Sequence, residues 1–113
     1  MLKSIPQLVA EVVGNIERIT MENAIRIENV VLVDVRETQE VSKQPIAGSI
    51  NIPRGVLEMK ITEHTQDPTT PICLHCATGG RAALAAEQLM RIGFTNVKAI
   101  KCGIDDILLV VGA

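Results

Sequence analysis

A chain of 113 residues, 47% hydrophobic and 21% charged, is sized for a single domain around one core. Ile, Val and Leu supply 35 residues against one aromatic, Phe94, a bias that excludes a disordered chain and suits buried strands between helices. Eleven basic against thirteen acidic residues, with no basic run, argue against a nucleic-acid surface, and no apolar stretch approaches the ~20 residues of a spanning helix, so neither nucleic acid nor membrane is an expected partner. Residues Met1 to Pro6 lack the apolar core and cleavage site of a secretory signal, and three cysteines do not make a disulfide framework. The expected compartment is a reducing one, the cytoplasm.

The first residues predict an added amphipathic helix within 1–18, with Leu8, Val9, Val12, Val13 and Ile16 on one stripe. Ser4 and Gln7 have capping-box spacing, and Pro6 sits where a first turn tolerates it. A short second helix from Thr20 would carry Met21, Ala24 and Ile25 on one face. Val30 to Val35 is an apolar, β-branched run interrupted only by Asp34, the pattern of a parallel strand covered on both faces. Further strands are expected at Ser49–Asn51, Pro71–His75 and Asn96–Ile100. Glu58, Glu63, His64 and Asp67 read as a solvated loop. A helix over Arg81–Ile92 would turn Ala82, Ala85, Ala86, Leu89 and Met90 inward and end at a left-handed Gly93. The run Ile107–Val111 is too apolar to stay in water; as a short helix it would have Asp105 and Asp106 at its favourable N-terminal end. Alternating strands and helices make the class α/β with a mainly parallel sheet.

The segment with chemistry in it is Cys76-Ala77-Thr78-Gly79-Gly80-Arg81, where a buried strand ends and a helix begins. Parallel sheets place ligand sites at such junctions, because the helix start offers unpaired N–H groups and partial positive charge. Gly79 and Gly80 could take positive φ and let successive amides converge. A Cys76 thiolate would be stabilised there by those donors and by Arg81. The plainer alternative makes Cys76 a small core residue and the glycines a tight turn.

These residues resemble the rhodanese-like sulfurtransferases. The loop 76–81 is similar to that family's six-residue active-site loop, cysteine first and arginine last. Val33-Asp34-Val35-Arg36-Glu37 resembles its Asp-Val-Arg-Glu signature, and Ile46-Ala47-Gly48-Ser49-Ile50-Asn51-Ile52-Pro53 its Ile-x-Gly-Ala-x-Asn-Ile-Pro segment. Gly93-Phe94 and Asn96-Val97 fit its helix end and next strand. The resemblance implies one small rhodanese-like domain over 1–113 with a five-stranded, mainly parallel sheet flanked by helices. It also implies a sulfane sulfur carried on Cys76 as a persulfide, from an anionic donor such as thiosulfate to cyanide, a thiol or an acceptor protein. Residues 77–81 would stabilise that persulfide, Arg81 would orient the donor, and Asp34 and Arg36 would brace the site; no cofactor is required. In two places the chain departs from the family. Cys102-Gly103-Ile104 stands where Gly-Gly and a tryptophan are common, and the C-terminus stops early.

Other readings use the same residues. Cys73 and Cys76 have Cys-x-x-Cys spacing, and Cys73, His75, Cys76 and Cys102 could be imagined around zinc. Alternation along the strand turns His75 away from the Cys76 face, which makes convergence awkward, so no metal site is assigned and Cys73 and Cys102 are expected to be buried. His75-Cys76 also resembles the opening of rhodanese-fold phosphatases and arsenate reductases, but those loops hold five residues between cysteine and arginine, and this one holds four. A non-catalytic binding module is the third alternative; inactive members of the family commonly lack the cysteine.

Overall fold

The computed structural model describes residues 1–111. Helices are α1 (Ile5–Val13), α2 (Met21–Ala24), α3 (Thr38–Lys43), α4 (Leu57–Lys60), α5 (Gly80–Ile92) and α6 (Ile104–Val111); strands are β1 (Glu17–Ile19), β2 (Val31–Asp34), β3 (Ser49–Asn51), β4 (Ile72–His75) and β5 (Val97–Ile100). All strand pairs are parallel, in the order β1-β5-β4-β2-β3. The fold is the α/β sheet with flanking helices that the sequence implies.

Alternation sorts the strand residues onto two faces. Val33, Leu74 and Ala99 share a row and join Ile72, Val97 and Cys76 in a core against Ala82, Ala85, Ala86 and Leu89 of α5 and Leu57 of α4. The alanines let α5 lie close to the sheet, and burying each larger aliphatic side chain contributes about 1.5–3 kcal/mol. Leu32, Cys73 and Ile100 face the other way, against Met21 and Ala24 of α2 and Ile107 of α6. Because β2 and β4 are neighbours at the middle of the sheet, their C-terminal ends bring Asp34 and His75 side by side.

Several local expectations are corrected. The N-terminal helix has its Ser4–Gln7 capping box but ends at Val13; Glu17–Ile19 is an edge strand paired to β5, and of the expected stripe only Val12 is buried. Ile25 follows α2 and is 44% exposed. Met90 is 43% exposed, in an open groove beside Gly14 to Glu17, where the chain has already left α1. Residues 57–63 are not loop: α4 and a 3-10 turn at Ile61–Glu63 bury Leu57 and Ile61, and Glu58 is half-buried against Arg54 at 2.8 Å. In α6 Ile107 docks on the sheet as expected, while Leu109 stays 84% exposed.

Candidate active site

Cys76 is the first residue beyond β4, and its side chain is 1% exposed. Its Sγ accepts hydrogen bonds from the Gly79 N–H at 3.1 Å and the Ala82 N–H at 3.3 Å. Both donors come from the start of α5, where the first four N–H groups have no partner within the helix. Gly79 caps the helix at φ 101°, a conformation that a Cβ disfavours; Gly80, also expected at positive φ, is already helical and takes a negative one. The loop is held from behind by the β5–α6 connection. The Ile104 N–H donates to the Ala77 carbonyl at 2.9 Å, and a Cβ on Gly103 would stand 3.1 Å from that oxygen, so glycine permits the approach.

Arg81 lies close enough to Cys76 to feel its charge, and its side chain is paired within the chain. Its guanidinium is chelated by Glu40 of α3, Nη1 to Oε1 at 2.6 Å and Nη2 to Oε2 at 2.9 Å. The Arg81 hydrogen bonds, followed by the Glu37 N–H, hold the Glu40 carboxyl at about 2, and Glu40 in turn raises the Arg81 pKa.

At the end of β2, Asp34 and Arg36 form the buried ion pair that the strand pattern requires, since an unpaired carboxylate could not sit among valines. Arg36 Nη2 donates to Asp34 Oδ2 at 2.7 Å and to the Gln44 carbonyl at 2.7 Å, while Arg36 Nε reaches Oδ1 at 3.0 Å. Asn51 Nδ2 ties the carbonyls of Asp34 and Arg36 together, each at 2.9 Å. His75 completes the row: Nε2 meets Ser49 Oγ at 2.7 Å, and Nδ1 lies 3.9 Å from Asp34 Oδ2 without a hydrogen bond. Burial drives the His75 pKa down, against the raising effect of Asp34.

The Cys-x-x-Cys spacing does not converge. Cys73 packs on the α2/α6 face and Cys76 on the α5 face; burial raises the Cys73 thiol to about 11, and all three cysteines are free. Cys102, expected to be buried, is half-buried at the edge of the α2/α6 cluster. Among the described residues, no group of His, Cys, Asp or Glu is arranged to hold a metal. The sequence points to the strand-end position of Cys76, to its loop and to a partner for Asp34, but not to the contacts made by Ala82, Gly103 and Glu40. Ala82 was within reach, being one of the first N–H donors of an anticipated helix; Glu40 was not, since it stands 41 residues from its partner on an element that no periodicity announced.

The model of the rhodanese-like domain matches residues 19–109, and the chain belongs to that family. It is 34% identical over 88 residues to an adenylyltransferase and sulfurtransferase of Meyerozyma guilliermondii, covering 73% of this chain but only 21% of that protein. A sulfurtransferase of Allochromatium vinosum is 27% identical over 77 residues, 68% of this chain and 70% of its own length. A solved Rhodopseudomonas palustris protein of unknown function, described as a possible tyrosine phosphatase, superposes with a TM-score of 0.74 at 30% identity, over 91% of this chain and 87% of its own. The described residues contain no helix long and apolar enough to cross a membrane.

Proposed function

We propose that this rhodanese-like chain is a sulfurtransferase whose nucleophile is Cys76. The observation that carries this reading is the Cys76 Sγ at the start of α5, accepting from two helix N–H groups. With thiosulfate the Cys76 thiolate attacks the outer sulfur, the S–S bond of the donor breaks, and sulfite departs with the electron pair. Cys76 is left with a persulfide anion. Cyanide or a thiolate then attacks the terminal sulfur and releases the Cys76 thiolate, a double displacement. A sulfur added to so buried an Sγ has little water to solvate it, so its charge falls to the amides of 77–81 and of Ala82, fixed in advance by the turn at Gly79. The Asp34–Arg36–Asn51 network keeps the end of β2 rigid beside β4. Neither step needs a metal or organic cofactor, and three free thiols suit a reducing compartment such as the cytoplasm.

A phosphatase reading draws support from the description of the Rhodopseudomonas relative. Against it stand the four residues between Cys76 and Arg81 and the engagement of Arg81 by Glu40, both unsuited to cradling a phosphate dianion. The experiment that separates the readings supplies the purified protein with thiosulfate and cyanide, and in parallel with p-nitrophenyl phosphate. Thiocyanate formation with parallel-line kinetics is the expected result; turnover of the phosphate ester alone would reject the sulfurtransferase.

A further inference from the structure

The geometry points to Glu40 as the residue that sets which donors this site accepts, by occupying the guanidinium that an anionic donor would otherwise use. This inference rests on the proposed sulfur transfer at Cys76. Glu40 meets Arg81 with both oxygens, at 2.6 and 2.9 Å, so the Nη1/Nη2 edge of the guanidinium, one of its two bidentate edges, is already filled and its charge is balanced by a carboxylate. The carboxylate is also fixed from behind: Oε1 accepts from the Glu37 N–H at 2.9 Å, in the first turn of α3. Held at about 2, the carboxyl remains ionised wherever the protein would be assayed.

The other nearby cation offers no substitute, because Arg36 is 2% exposed and consumed by Asp34. Glu37, close enough to act on Arg81, adds a further negative charge. The pair itself is about one-third exposed (36% and 37%), open to an arriving anion, and Arg81 is close enough to Cys76 for the thiolate's charge to act on it. A dianion such as thiosulfate therefore meets an Arg81 whose terminal edge is taken and whose charge is offset by Glu40 and Glu37, and gains that edge only by displacing Glu40. An organic persulfide, RSSH, needs no such displacement: the Cys76 thiolate takes its terminal sulfur, the S–S bond of the donor breaks, and the thiolate RS⁻ leaves while the proton stays on the transferred sulfur. The site accordingly favours donors less charged than thiosulfate.

The test measures kcat/KM for thiosulfate and for 2-hydroxyethyl persulfide, and calorimetric affinity for sulfate, in wild type and Glu40→Gln. Glutamine keeps an oxygen for the Glu37 N–H, so the helix start is retained. The ratio of thiosulfate to persulfide kcat/KM should rise about tenfold, mainly through a lower thiosulfate KM, and sulfate should bind about tenfold tighter. In an Arg81→Ala background the same substitution should have no effect, which a merely structural role for Glu40 would not predict. Should Glu40→Gln fail to fold, Glu40→Asp keeps the charge but is one methylene too short to reach both guanidinium nitrogens from the same backbone position, and should shift both readouts in the same direction. A folded variant with an unchanged donor ratio and unchanged sulfate affinity overturns the inference while leaving sulfur transfer standing. Tighter sulfate binding in a protein that transfers sulfur from neither donor would uphold the role of Glu40 and reject the proposed function instead.

Discussion

At the scale of single residues, the three cysteines differ in what surrounds them. Serine at position 76 can accept the same two N–H groups through its Oγ, so Cys76→Ser should keep a near-native melting temperature and lose sulfur transfer. Cys73→Ser places a hydroxyl in an apolar cluster and should cost about 1–3 kcal/mol of stability while transfer persists. Cys102→Ser, at a half-buried position, should change neither. Transfer retained by Cys76→Ser, or lost in a folded Cys73→Ser, would move the chemistry to the other thiol. His75 supports a pH prediction. Its pKa in the folded chain is lowered by burial, so between that value and the ordinary 6.5 the unfolded chain binds the extra proton. Stability rises with pH wherever the unfolded state holds more protons, so it should be lost as pH falls below about 6.5. Glu40, lowered from 4.5 to about 2, loses its contribution only in that more acidic window, which keeps the two effects apart. Melting curves between pH 8 and 5 should slope for wild type and flatten for His75→Gln; equal slopes would dismiss His75 as the source.

Among the elements, helices and strands differ in how openly the chain announces them. Strand β2 and helix α5 were legible because a β-branched run and an alanine stripe ended by Gly93 leave few alternatives. The short edge strand β1 was not: Glu17-Arg18-Ile19 has no hydrophobic pattern, and its pairing to β5 is supplied by the rest of the sheet. Helices α3 and α4 were hidden for a similar reason, since six and four residues are too few to establish a period, and tertiary contacts decide their state. The apolar run at the C-terminal end was legible as helix α6, though burial of all its side chains was not, because one helical face meets the sheet and Leu109 lies on the other. Truncation after Asp106 removes Ile107 from the α2 side of the core, a loss of about 1.5–3 kcal/mol from that side chain alone. The melting temperature should fall, and light scattering should give the mass of a monomer for both the full and the truncated chains. A full-length dimer that becomes a stable monomer on truncation would make α6 an interface.

For the molecule as a whole, the parallel sheet explains why the site lies where it does. Asp34 and His75 pair at the C-terminal ends of neighbouring central strands, and Cys76 follows there at the start of α5, so residues far apart in sequence gather at one end of the sheet, where the proposed nucleophile lies. The sequence points to that place through Cys76 and its loop, because glycines and arginine follow a strand-ending cysteine at a helix start. It could not name the Glu40–Arg81 pair, which depends on how α3 and α5 are brought together in three dimensions. The central claim is that Cys76 carries the sulfur between the two half-reactions. Mass spectrometry on protein treated with thiosulfate or an organic persulfide, before any acceptor is added, tests it most directly. One additional sulfur should map to the peptide containing Cys76 and disappear on addition of cyanide; an adduct confined to Cys73 or Cys102, or none while thiocyanate still forms, would contradict it.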